Sequence, residues 1–247
     1  MDIDVHGPKV IFEIGPVQIT ETIVNMWIIM AVITLVCIWL THGLKVKPTS
    51  KKQIVAEKLV GMIYSMVETT MGKKCLGYAP YIGTLFTLSA IGSLSSLVGL
   101  RPYTADLSVT LGWALVTFML VYISNIKHNG VLGFLKGFIE PVPVMLPLNI
   151  VSEIANPISL SFRHFGNIAA GTVITALVYG ALAALSSVVL QFIPVAFINS
   201  IPIFQLGLPA VLSIYFDLFT SFLQAYIICM LTMVFISGTL PETGDNN

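Results

Sequence analysis

Glu153, Arg163 and His164 share one long apolar stretch of this chain, and Asp217 stands in the next. An ionisable side chain in hydrocarbon is costly, so each one retained there marks a functional position by default. Their chemistries differ. A guanidinium stays charged at any working pH, so Arg163 is a fixed positive charge that pairs with carboxylates and carries no proton. Glu153 and Asp217 can release and accept a proton, and the imidazole of His164 either titrates or packs. Glu153 is ten residues before Arg163, ~15 Å along a helix, so the arginine has no carboxylate one turn away. Its counter-ion is either on another protein or within its own bundle, as Asp217 or backbone carbonyls.

Spacing groups these residues with neutral polar ones. At ~100° per residue, Asn149, Asn156, Ser159, Asn167 and Ala170 fall within about 40° of Arg163, a polar stripe along one helix. Ser213, Asp217, Thr220 and Gln224 likewise share a face of the next apolar segment. Two such stripes on antiparallel neighbours make a hydrophilic seam.

The elements that carry the seam are membrane helices. The 247 residues are 56% hydrophobic and 10% charged, with a mean hydropathy of +0.91, far from soluble averages. Apolar runs at 22–40, 81–100, 107–124, 148–190 and 210–237 give five spans in one membrane domain, an all-α membrane protein. The last two runs exceed the ~30 Å hydrocarbon core and must tilt strongly or break as a helical hairpin. Pro157 is expected to kink the first of them, and the prolines from Pro194 to Pro209 make the turn.

Between the first two spans, 51–74 carries Ile54, Val55, Leu59, Met62 and Met66 at helical spacing with lysines at both ends. It is expected to be an amphipathic helix lying in the cytoplasmic interface or packed on another subunit. Nine lysines fall on that side of the spans, against Lys9 and Arg101 on the other. The positive-inside rule then puts the N-terminal segment 1–21 outside and the C-terminus in the cytoplasm. Residues 1–21 have one lysine and four acids, unlike the basic start of a cleaved signal peptide.

Other chemistries are poorly supported. Twelve basic residues balance twelve acidic ones, leaving no field for nucleic acid. Cys37, Cys75 and Cys229 are too far apart for a disulfide framework or a paired metal site. The glycines at 130, 133 and 137 lack the following Gly-Lys-Ser/Thr of a nucleotide loop, and no Gly-x-Ser-x-Gly occurs. No cofactor, metal or nucleotide is expected. The small residues of the second span, including Ser89 and Gly92, read as helix packing.

Three segments together, Pro141 to Ile150 (PVPVMLPLNI), Asn156 to Ile168 (NPISLSFRHFGNI) and Leu223 to Tyr226 (LQAY), resemble subunit a of the F-type ATP synthase. The resemblance is strongest over about 100 C-terminal residues. It implies a non-catalytic, ion-conducting stator subunit in a bacterial plasma membrane, partnered by a ring of c subunits and by peripheral-stalk b subunits. Two offset half-channels would deliver and remove protons or sodium ions. On that pattern Arg163 faces the ring carboxylate, Gln224 is its neighbour across the helix pair, and Asn167 belongs to the same motif.

Asn149, Glu153 and Ser159 then fall on the cytoplasmic side of Arg163, while Asp217 precedes Gln224 by seven residues, ~10 Å toward the outside. The chain also departs from the family pattern. Thr172 stands where many members carry Glu, Asp217 occupies the position often held by His, and His164 replaces the usual Leu. The rival reading is a self-contained secondary transporter that uses Arg163 to bind an anionic substrate between half-helices; the inverted repeat it would need is not evident.

Overall fold

The computed structural model describes residues 10–14, 17–46, 50–139, 142–190 and 214–240. Two short strands, β1 (Val10–Ile14) and β2 (Val17–Thr20), pair antiparallel with Glu13 opposite Gln18 and Phe12 opposite Ile19. The rest is helical: α1 (Glu21–Thr41), α2 (Lys51–Met71), α3 (Ala79–Leu94), α4 (Leu107–Gly137), α5 (Leu146–Leu190) and α6 (Thr220–Ser237). Among the described residues, five helical segments are long and apolar enough to cross a membrane: Glu21–Thr41, Lys73–Val98, Leu107–Gly137, Pro143–Ser186 and Thr220–Ser237.

The centre of the bundle is α3 packed on α6. Ile82 and Leu85 of α3 meet Ile228, Cys229 and Met233 of α6, joined by Ala114 and Phe118 of α4. Small and flexible side chains suit this seam because they let helix backbones approach closely. The Cys229 thiol donates to the Ile82 carbonyl at 3.6 Å. By contrast α1 leaves Trp27, Val32, Leu35 and Trp39 exposed, an apolar surface that matches lipid.

Polar ties fix both ends of the bundle. At one end Asp106 caps α4 by accepting from the Ser108 backbone N–H at 3.0 Å, and also accepts from the Thr22 hydroxyl at 3.0 Å. Asn25 donates to the Arg101 carbonyl at 3.2 Å. At the other end Asn129 of α4 donates to the Thr239 carbonyl, and the Thr239 hydroxyl bonds Ser124.

α2 turns Gln53, Val67 and Met71 inward and leaves Ile54, Val55, Leu59 and Met62 exposed. Gln53 spans the preceding loop, donating to the Lys45 carbonyl at 2.6 Å and accepting from its N–H at 3.2 Å. α4 continues well past its apolar run and breaks at Gly130, whose φ of 70° is a conformation that favours glycine.

α5 has 45 residues, ~67 Å at 1.5 Å each, about twice the hydrocarbon thickness. It continues as helix through Pro157, whose missing N–H removes the bond to the Glu153 carbonyl. The segment expected to turn between the last two spans lies outside the described residues. A π-helical stretch, Ile214–Phe219, leads directly into α6.

Candidate functional site

Arg163 is exposed on α5, and among the described side chains no carboxylate pairs with it. Ser159, one turn earlier on the same stripe, is also exposed, while Asn156 and Asn167 are half-buried. The stripe thus borders the outer surface of the bundle. His164 faces the core instead: it is 1% exposed, its Nε2 is 3.4 Å from the Ser89 hydroxyl of α3, and its ring lies 5.8 Å from that of Trp113 on α4. One turn before it, buried Ser161 shares a 3.2 Å hydrogen bond with Thr110 of α4. Ser89, which sequence alone marks only as a packing residue, is therefore the polar partner of the imidazole.

A cavity of about 290 Å³ opens between α4 and the first turns of α5, lined by Asn125, Phe134, Phe138, Asn149, Ser152 and Glu153. Asn149 donates to the Phe138 carbonyl at 2.9 Å. Glu153, which lines the same space, is half-buried. Carboxylate, amide and hydroxyl groups around one open space suit water and a small cation or proton. Glu153 and Asn149 were visible in the sequence. Asn125 was not, because helical periodicity cannot tell which residue of a different helix meets them.

Of the second stripe, the structure describes the side chains of Thr220, half-buried, and Gln224, buried. The helix from Thr220 to Ser237 turns Gln224 inward with Ser221, Ala225 and Ile228, toward the core rather than the exposed surface. The π-helical stretch upstream has more residues per turn than an α-helix, so a 100° phase cannot be carried through it. Thr220 bonds the Tyr215 carbonyl five residues back at 2.9 Å, the reach of that wider turn. Ser213 lies outside the described residues, as do the side chains of Asp217 and Thr172.

A model of the family described as ATP synthase A chain matches residues 23–237. The chain belongs to this family, subunit a of the F-type ATP synthases. It is 34% identical over 231 residues to "ATP synthase subunit a 2" of a Bradyrhizobium species, covering 93% of each chain. It is 32% identical over 240 residues to "ATP synthase subunit a, sodium ion specific" of Propionigenium modestum, covering 91% of this chain and 75% of that one. The "ATP synthase subunit a" of Moorella thermoacetica is 30% identical over 232 residues, covering 94% and 95%.

As a subunit a, the chain is a multi-pass membrane protein of the synthase's stator. Its helices supply ion transport to ATP synthesis, while catalysis belongs to the complex. The family match favours this over a self-contained transporter. Within subunit a, the features now requiring a role are the exposed arginine, the cavity about 15 Å along α5 from it, and the buried imidazole between them and the bundle core.

Proposed function

We propose that the exposed face of α5 is the surface against which a ring of c subunits turns, with Arg163 opposite each arriving ring carboxylate. The observation that carries this reading is that Arg163 sits exposed on a membrane-length helix with no ion pair among the described residues. A guanidinium left in hydrocarbon without a counter-ion is costly, so a partner's carboxylate is the natural complement. The fixed charge favours the ionised form of that carboxylate and makes it release its proton or cation.

The cavity at Asn125, Asn149, Ser152 and Glu153 serves as the half-channel on the lysine-rich, cytoplasmic side. Asp217, on the other side of the arginine level, serves the outer half-channel, with Gln224 and Asn167 supporting the passage near Arg163. Repulsion by Arg163 in a low-dielectric seam keeps an ion from crossing directly between the two. The peripheral-stalk b subunits pack elsewhere on the bundle, and α2 lies in the cytoplasmic interface. The ion is a proton or sodium; the Propionigenium modestum relative is named as sodium ion specific, so sodium dependence is a direct assay of which.

The ring-facing assignment is tested with Ser159→Cys, on the exposed face beside Arg163. In assembled complexes it should form a disulfide with a cysteine placed next to the ring carboxylate. Assembled complexes that give no such cross-link would remove the assignment.

A further inference from the structure

The eight residues from Lys45 to Lys52 contain four lysines and no acid. The positive-inside rule explains the sign of this stretch but not how it is held. Gln53, 4% exposed, pins it to α2: the amide donates to the Lys45 carbonyl at 2.6 Å and to the Glu57 carboxylate at 2.7 Å, and its oxygen accepts from the Lys45 N–H. Lys45 is thereby fixed beside the first turn of α2, where Lys51 and Lys52 stand. Lys52 is held as well, donating to the His42 carbonyl at 3.1 Å with its ammonium 5.5 Å from the centre of the Trp39 ring on α1. Among the described side chains no carboxylate pairs with these three lysines. Two cations in a first turn also oppose the helix dipole, so helix stability does not account for them.

Trp39 ends an apolar line along α1. Ile28, Val32 and Leu35 lie within ~40° of it at ~100° per residue, and all four are exposed. From Ala31 to Trp39 only Ile33 is half-buried and the rest are exposed. This half of α1 is therefore bare on every side, where a partner helix would cover one side and lipid covers all. A tryptophan at the end of such a span marks the headgroup level, which sets the Lys52 ammonium at the depth of a phospholipid's phosphate.

We propose that the α1–α2 corner binds an anionic phospholipid, its phosphate held by Lys45, Lys51 and Lys52 and one acyl chain laid along the apolar line below Trp39. The charges complement each other, since lysines clustered just beyond a span attract anionic lipid. Lys52 keeps two of its three ammonium donors for the phosphate, and Lys45 and Lys51 are exposed. The site lies apart from the ion path and depends on no role of Arg163.

The test uses the assembled synthase in phosphatidylcholine vesicles, with bimane on Val36→Cys, beside the apolar line, in a background without the native three cysteines. A minor fraction of either phosphatidylglycerol or phosphatidylcholine carries a nitroxide on its acyl chain, in both leaflets, so the result does not depend on which face of the membrane the corner occupies. Nitroxide phosphatidylglycerol should quench the fluorophore at a lower fraction than nitroxide phosphatidylcholine, by about fivefold or more, and added salt should weaken that preference. Lys45→Gln, an exposed substitution, should reduce it about fivefold, and Lys51→Gln/Lys52→Gln should reduce it further. Lys73→Gln/Lys74→Gln removes two exposed charges beyond the far end of α2 and should leave it unchanged. Equal quenching by the two lipids overturns the site. So does an equal loss in the two double variants, which would mean a diffuse surface charge, or the absence of quenching by either lipid, which would mean that a partner subunit covers this side of α1.

Discussion

Tyr103, in the turn between α3 and α4, lies so close to Gly92 of α3 that a methyl group on that glycine would overlap the phenol ring. The ring is fully buried, its hydroxyl donates to the Leu88 carbonyl at 2.7 Å, and its edge meets Trp113, which in turn packs on His164. Burial pushes the hydroxyl well above the ordinary tyrosine value, so it remains a donor at any working pH. A loop residue is thereby coupled to the helix that carries the arginine.

Gly92→Ala should therefore destabilise the subunit by ~1–3 kcal/mol, the usual cost of overpacking. Thermal unfolding of the purified complex is the check. Tyr103→Phe removes the hydrogen bond but keeps the ring, and should cost less, about 1 kcal/mol.

The positive-inside rule predicts the orientation of the bundle from its lysines. A cysteine near Val5 and one near Gly244, in a background without the native three, should react with an impermeant thiol reagent from opposite faces of the membrane. Ser152→Cys, lining the cavity between α4 and α5, should react from the same face as the Gly244 site. Labelling of both termini from one side would remove the five-span topology, and labelling of Ser152→Cys from the outer side alone would reassign the cavity.

How far these features were legible in the sequence depends on their range. Membrane spans rest on local hydropathy, and Asn149, Glu153 and Arg163 were placed by counting along one helix. The face shared by Ser213, Asp217, Thr220 and Gln224 was counted at a constant helical phase, which the π-helical stretch Ile214–Phe219 before Thr220 does not keep. Ser89 and Thr110 were invisible as partners of His164 and Ser161, since 75 and 51 residues separate them. The β1–β2 hairpin did leave a signal: Val10 to Ile14 and Val17 to Thr20 flank a Gly-Pro pair, a combination that punctuates strands.

Asp217 is expected to act as the outer relay carboxylate. Asp217→Asn keeps the size and polarity while removing the proton or cation site, so ATP synthesis should fall sharply with the complex still assembled. Wild-type synthesis in Asp217→Asn membranes would assign the outer path to other groups.

The fixed charge of Arg163 is the centre of the account, and reconstituted Arg163→Ala complexes measure it directly when pumping and passive leak are assayed side by side. Removal of the charge should abolish both ATP synthesis and ATP-driven pumping and allow ions to leak through the assembled membrane sector. Arg163→Lys keeps a charge without the planar fork and should also fail at coupling while leaking less. Tight, coupled pumping in Arg163→Ala complexes would contradict the mechanism.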